Sequence, residues 1–94
     1  MLTISRTSRF KRDWRRCSAG IHRKDLDRIL IDALTFLLAG EVLPVRYRDH
    51  NLSGEFGDCR ECHLKPDLLL IYRKSGGETL QLVRLGSHSE LFNQ

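Results

Sequence analysis

Three strand-like runs fill most of residues 58–85, and this stretch, DCRECHLKPDLLLIYRKSGGETLQLVRL, decides the fold. The runs cover about residues 58–65, 68–74 and 79–85. A Pro-Asp bend separates the first two, and a Ser-Gly-Gly-Glu turn separates the second and third. The middle run is apolar on both faces, which is typical of a central strand. We therefore predict an antiparallel sheet with the middle run at its centre.

The residues before this stretch predict a short strand and two helices. The strand is expected at residues 2–5. The first helix is capped by Thr7 or Ser8 and runs to about Cys17, and the second runs from His22 to Ala39 with Gly40 after its end. Apolar residues recur in both at the spacing of an amphipathic helix.

The remaining residues predict a long loop and a closing helical turn. Residues 43–57 carry Pro, Gly and scattered polar residues and are expected to form a loop. Residues 87–92 are expected to form the helical turn, with Ser87 as its cap and Glu90 three residues later. The resulting fold class is α+β, with an N-terminal helical hairpin packed on one face of a small, mainly antiparallel twisted sheet. The 94 residues are expected to form a single domain.

The composition is that of a folded chain, with 40% hydrophobic and 30% charged residues. A disordered chain would be poorer in apolar residues. No apolar run approaches the roughly 20 residues that cross a bilayer. The first residues also lack the apolar stretch of a secretory signal. We therefore expect a cytoplasmic protein without a membrane partner.

Positive charge is concentrated in the first third of the chain. Residues 1–28 carry nine Lys and Arg and three Asp, whereas the rest carries seven Lys and Arg and nine Asp and Glu. A basic segment of this kind attracts polyanions such as nucleic acid. A solvated helix face or an acidic protein partner is equally compatible with the charge run alone.

The three cysteines are expected to be reduced thiols, because an odd number cannot pair within one chain. The run from Cys59 to His63 has the C-x-x-C-H spacing of a c-type haem attachment. Haem attachment of this kind requires export, for which the N-terminus gives no signal. A zinc site is also disfavoured, since the Cys59 and Cys62 sulfurs point to opposite faces of a strand. Packing in a strand is the favoured interpretation, and we expect no cofactor and no metal.

Three histidines in the C-terminal half, His50, His63 and His88, suggest acid–base chemistry together with Asp67. Imidazoles exchange protons near neutral pH. Cleavage of an RNA phosphodiester needs one group to take the proton of the 2′-OH and another to protonate the leaving 5′-oxygen. A cation from Arg60 or Arg84 would stabilise the phosphorane. The reaction requires no metal, because the nucleophile belongs to the substrate.

The same residues lie in three ordered motifs of a known family. Residues 47–54, YRDHNLSG, resemble the segment Y-K/R-D-H-x-L-x-G of the YafQ-type toxins in the RelE/ParE superfamily. Residues 60–72, RECHLKPDLLLIY, are similar to R-D/E-x-H-V/I/L-x-P-D-W/L-I/L-L-I-Y. Residues 84–92, RLGSHSELF, are similar to R-x-G-S/T-H-x-x-L-F. The resemblance covers most of the chain in register and implies a RelE-like fold.

The resemblance implies a type II toxin that acts as a ribosome-dependent mRNA endonuclease and cuts the codon in the A site. It carries over five active-site residues, His50, His63, Asp67, His88 and Phe92. His50 and His88 are expected to transfer protons, in a direction left open, with His63 and Asp67 as a further acid–base or orienting pair and Phe92 stacking on a base. Leu68 stands where the family also has Trp, which bears on codon preference.

The resemblance also implies partners, namely the 70S ribosome with its mRNA and a cognate antitoxin. The antitoxin would form a hetero-oligomer with the toxin and mask the site or block its access to the ribosome. Seven basic residues are expected to contact ribosomal RNA: Arg9, Lys11, Arg12, Arg15, Arg16, Arg23 and Lys24. The alternative is a ParE-like toxin that binds a protein such as gyrase without cutting RNA, but such a toxin has no need of three histidines.

Overall fold

A five-stranded sheet forms the centre of the computed structural model, which describes Leu2–Phe92. Its strands are β1 (Thr3–Arg6), β2 (His50–Asn51), β3 (Arg60–Lys65), β4 (Leu68–Ser75) and β5 (Thr79–Gly86). Their order across the sheet is β1-β5-β4-β3-β2. Only the β1–β5 pair among these is parallel, so the mainly antiparallel sheet with β4 at its centre is confirmed.

Three helices accompany the sheet: α1 (Ser8–Ser18), α2 (Leu26–Leu38) and α3 (His88–Phe92). The Thr7 hydroxyl accepts a hydrogen bond from the backbone N–H of Phe10 at 3.0 Å, so Thr7 caps α1. Gly40 ends α2 with φ 73°. Its N–H donates to the Leu37 carbonyl and that of Glu41 to the Phe36 carbonyl, the bonds of a Schellman motif. None of these helices is long and apolar enough to cross a membrane.

Two details of the prediction are wrong. The second helix begins at Leu26, the first buried apolar residue of the predicted segment, and not at His22, because residues 21–25 form turns. The predicted loop at residues 43–57 contains β2, which makes the sheet one strand larger than expected. A two-residue polar strand has no apolar alternation, so only its pairing with β3 defines it.

The two faces of the sheet carry two separate cores. Helices α1 and α2 cover one face. There they pack on Cys62 and other buried apolar residues of β3, β4 and β5. The opposite face has a smaller core, formed by Phe56, Cys59, Leu69, Ile71 and Leu91. The expected placement of both long helices on one face is confirmed, and part of the other face is left to polar side chains.

The cysteines lie where the strand period predicts. Cys59 packs in the smaller core and Cys62 in the helix-covered core, on opposite faces of the sheet. Burial raises the pKa of the Cys59 thiol to about 11 and that of Cys62 to about 12. Both are therefore protonated, packed thiols with little nucleophilic character at neutral pH.

Candidate active site

Three histidines from three separate segments meet on the face of the sheet opposite α1 and α2. His50 is supplied by β2, His63 by β3 and His88 by α3. The His63 ring lies 6.4 Å from the His50 ring and 5.9 Å from the His88 ring, measured between centroids. The side chains of His50 and His88 are 49% and 54% exposed, so two of the three imidazoles reach solvent.

A buried carboxylate, Glu61, lies among these rings. Strand pairing sets Glu61 opposite His50, and its side chain is only 4% exposed. One carboxylate oxygen, Oε2, lies 2.9 Å from His50 Nε2. The other, Oε1, lies 4.0 Å from His88 Nε2 and is buried without a hydrogen-bond partner among the described residues.

The burial of Glu61 does not follow from the strand pattern. The strand period places Glu61 on the same face as His63, away from α1 and α2, yet its side chain is enclosed. Its enclosure depends on β2, the strand that sequence patterning missed. In the sequence, the alternation of Glu61 with His63 along β3 indicates that the two side chains share a face. The alternation does not indicate how deeply the Glu61 side chain is buried.

The backbone and a carboxylate face the two ring nitrogens of His50. His50 Nδ1 lies 2.8 Å from the carbonyl oxygen of Arg48, which only accepts hydrogen bonds, so Nδ1 is the donor. His50 Nε2 faces Glu61 Oε2 at 2.9 Å. The two side chains therefore form a His50–Glu61 unit in which the buried carboxylate lies against the imidazole.

Asp67 and Phe92 complete the group of five residues that the resemblance implied. Asp67 Oδ1 accepts a hydrogen bond from the His88 backbone N–H at 3.2 Å and lies 3.8 Å from the ring nitrogen His88 Nδ1. The Phe92 ring lies 5.9 Å from the His88 ring and packs edge-on against Phe56 with centroids 6.1 Å apart. Leu68, by contrast, is buried in the helix-covered core.

The helix α3, which carries His88 and Phe92, is too short to be stable alone. Ser87 and Glu90 form the predicted capping box, since the Glu90 side chain accepts from the Ser87 N–H and the Ser87 hydroxyl accepts from the Glu90 N–H. Arg16 on α1 contacts Glu90 at 2.9 Å and donates to the Leu85 carbonyl at 2.9 Å. A Cβ at Gly86 would lie 2.7 Å from Arg16 Nη2, so this approach requires glycine.

Asp13, on α1, fixes the end of β5 and the side chain of Arg16, which contacts α3. Its side chain is 3% exposed and accepts hydrogen bonds from Arg84, from Arg16 and from the N–H of Leu85. Burial by itself raises the pKa of Asp13, but the bonds from Arg84, Leu85 and Arg16 outweigh it, and the pKa is lowered. The carboxylate thus joins α1 to β5 immediately before α3.

The two arginines expected at the phosphate are both engaged within the protein. Arg60 shares a face with Cys62, opposite His63, and donates to Asp49 and Asn51. The bond to the Asp49 carboxylate raises the pKa of the guanidinium. Arg60 therefore lies on the other face of the sheet from the histidines, which corrects the expectation that it contacts the phosphate. Arg84 lines a cavity with Phe92, but its Nε and Nη2 donate to Asp13.

All seven basic side chains expected at ribosomal RNA are exposed. Six of them are Arg9, Lys11, Arg12, Arg15, Arg23 and Lys24. The seventh, Arg16, also bridges Asp13 and Glu90 with its guanidinium. Contact of these residues with ribosomal RNA stays a prediction.

No group of three or more His, Cys, Asp or Glu side chains between Leu2 and Phe92 has a metal-binding arrangement. The functional groups at the site are imidazoles, carboxylates and the adjoining aromatic rings.

Comparisons with known proteins identify the family of this fold. The family model described as "Bacterial toxin of type II toxin-antitoxin system, YafQ" matches residues 2–93. The mRNA interferase toxin YafQ of Escherichia coli K12 is 40% identical over 50 residues, which are 53% of this chain and 53% of that protein. The chain spans between half and two thirds of the length of the curated relatives it matches.

Solved structures extend the likeness to the whole fold. A crystal structure of a metal-bound toxin from Helicobacter pylori has 43% identity and a TM-score of 0.82, covering 98% of this chain and all of that one. The Escherichia coli DinJ–YafQ complex has 26% identity and a TM-score of 0.78, covering 98% and 99% of the two chains.

Proposed function

Because the chain belongs to the YafQ family of bacterial toxins of type II toxin–antitoxin systems, we propose that it is a ribosome-dependent mRNA endonuclease. One observation carries this proposal: His50, His63 and His88 meet around a buried carboxylate at a solvent-accessible surface. The name of the Escherichia coli relative, an mRNA interferase, agrees with the proposed reaction.

The proposed reaction is a transesterification within the RNA. The ribose 2′-oxygen loses its proton and bonds to phosphorus, while the bond from phosphorus to the 5′-oxygen breaks. The leaving oxygen takes up a proton, and the products are a 2′,3′-cyclic phosphate and a 5′-hydroxyl end. Both proton transfers take place at neutral pH if two imidazoles are held at the two oxygens.

We assign the proton transfers to His88 and to the His50–Glu61 unit. His88 Nε2 lies 4.0 Å from Glu61 Oε1, which is too far for a hydrogen bond. This nitrogen is therefore available to a substrate oxygen. Glu61 orients His50 and stabilises its charged form, as a buried carboxylate does for a catalytic histidine. Asp67 orients His88, and His63 lies between the two units.

The flanking groups position the RNA. Phe92 offers a ring for base stacking, and Phe56 supports it edge-on. Of the two arginines considered for the phosphorane, Arg84 is the one that lines the cavity beside Phe92. We therefore assign it the electrostatic contact with the transferring phosphate.

We further propose that a cognate antitoxin binds this chain in a hetero-oligomer and either covers the histidines or blocks access to the ribosome. The structure of YafQ with DinJ provides the precedent. The proposed substrate, mRNA on the 70S ribosome, places the protein in the cytoplasm. Binding of gyrase without RNA cleavage is the competing function.

Mapping mRNA 5′ ends after induction tests the proposed function. Wild-type protein is expected to produce new 5′ ends within codons and to halt translation, because the paired imidazoles transfer both protons. His50→Ala and His88→Ala are each expected to reduce the new ends about 10²- to 10⁴-fold. Growth arrest without new ends, equally strong in both variants, would instead indicate a protein target.

Neutralising the α1 surface is expected to weaken ribosome binding. The variant Lys11→Gln/Arg12→Gln/Arg15→Gln should flatten the dependence of the logarithm of the affinity on the logarithm of salt concentration, by roughly 1 for each lost phosphate contact. Binding to purified 70S ribosomes between low and moderate salt measures this slope. An unchanged slope would remove α1 from the ribosome interface. Lys74→Gln, at an exposed position of β4, serves as the control.

A further inference from the structure

A second cluster of cations lies next to one of the three histidines. A cleft of about 450 Å³ lies between α2, the turn at Val45–Tyr47 and the end of β3. His63 is among the residues that line it, so the cleft adjoins the histidine group at the edge of the sheet. Four basic residues from these segments also line it: Arg28, Arg46, Arg48 and Lys65.

Two of these cations are without a carboxylate partner among residues 2–92. Arg28 lies 3.5 Å from Asp25 and Lys65 lies 3.8 Å from the same carboxylate. Arg46 instead lies over the Tyr47 ring at 4.8 Å, and Arg48 makes no ion pair in this part of the chain. The positive charge of Arg46 and Arg48 is therefore available to an anionic ligand.

The backbone at Arg48 links this cleft to the acid–base group. Arg48 has φ 51° and ψ 40°, the left-handed conformation that a residue with a Cβ rarely adopts. Its carbonyl accepts the hydrogen bond from His50 Nδ1, while its side chain lines the cleft. The same residue therefore contacts His50 through its carbonyl and presents a charge in the cleft through its side chain.

We propose that this cleft binds a backbone phosphate of the single-stranded mRNA next to the scissile linkage, with Arg46 and Arg48 as its contacts. The inference rests on the proposed function for the identity of the RNA. Guanidinium groups suit this ligand, because their donors match phosphate oxygens in pairs. His63 lines the cleft and its ring lies 5.9 Å from that of His88, so an RNA strand bound at the histidines can place a neighbouring phosphate in the cleft.

The test measures binding of a fluorescent single-stranded RNA of eight nucleotides whose 2′-positions are methylated, which prevents cleavage. Anisotropy titrations of the full chain over a range of salt give the slope of log affinity against log salt. Arg46→Gln/Arg48→Gln is expected to reduce this slope by about 0.7, the value for one phosphate contact on a single strand. Arg6→Gln/Lys74→Gln removes the same charge from exposed positions outside the cleft and is expected to leave the slope within error of wild type.

Equal slopes for the two double variants would overturn the proposal. So would a cleft variant that keeps RNA binding but loses binding to empty ribosomes or to an acidic antitoxin peptide, because the cleft would then serve another partner. His88→Ala separates this inference from the proposed function. If that variant still cuts mRNA while the cleft variant shows the reduced slope, the acid–base assignment fails and the phosphate cleft stands.

Discussion

Replacing Glu61 by Gln is expected to lower the rate of ribosome-dependent mRNA cleavage about 10²- to 10⁴-fold. Gln has nearly the shape of Glu, and its amide donates to His50 Nε2 while Nδ1 still donates to the Arg48 carbonyl. The ring thus keeps its orientation but faces a neutral group in place of a carboxylate. Single-turnover cleavage on ribosomes at saturating toxin measures the loss.

Three further measurements make this result specific. Ribosome affinity and thermal midpoint of Glu61→Gln should match the wild type, because the change is nearly isosteric. Glu78→Gln, an exposed carboxylate in the turn between β4 and β5, is the matched control and should cut at the wild-type rate. Cleavage by Glu61→Gln within threefold of wild type would show that the buried carboxylate contributes only packing.

Replacing Asp13 by Ala is expected to destabilise the protein by about 3–5 kcal/mol, the range for removing one partner of a buried ion pair. The change leaves Arg84 and the Leu85 N–H without their acceptor. It also frees Arg16 from one of the two carboxylates between which it bridges α1 and α3. Urea unfolding at pH 7 measures the difference, and the exposed Asp27→Ala should cost about 1 kcal/mol or less.

The same carboxylate gives the stability a defined pH dependence. The pKa of Asp13 is lower in the folded protein than its usual value of 3.8, so the unfolded chain binds the proton more readily. The contribution of Asp13 is therefore fully present above about pH 4 and is lost as pH falls through the folded pKa. Unfolding measured at pH 7 and at pH 3 should show this loss in wild type and a smaller one in Asp13→Asn. Equal losses in the two proteins would assign the acid sensitivity to other carboxylates.

Much of the fold is predictable from local pattern. The apolar run of β4 indicated a central strand, and Thr7, Gly40 and the Ser87–Glu90 pair marked helix ends through their own hydrogen bonds. These features depend on residues close together in the chain, and their geometry follows from side-chain chemistry. The start of α2 and the strand β2 were missed because burial and pairing with distant residues define them.

Part of the candidate site is likewise predictable from the sequence, and part depends on contacts between distant residues. The strand period placed His63 and Glu61 on one face, and the order of three motifs singled out His50, Asp67, His88 and Phe92. The pairing of β2 with β3 decides that Glu61 is enclosed beside His50, and the Asp13–Arg16–Glu90 contacts decide where α3 holds His88.

The amino-acid sequence by itself therefore indicated most of the elements, the family and the candidate residues for proton transfer. Only the tertiary structure decided which arginines form ion pairs away from the histidines, at Arg16 and Arg60, and which have no carboxylate partner among the described residues, at Arg46 and Arg48. The physical reason is that an ion pair or a buried carboxylate depends on distances between residues far apart in the chain. Residue type and spacing record what a side chain can do, whereas its partner is set by folding.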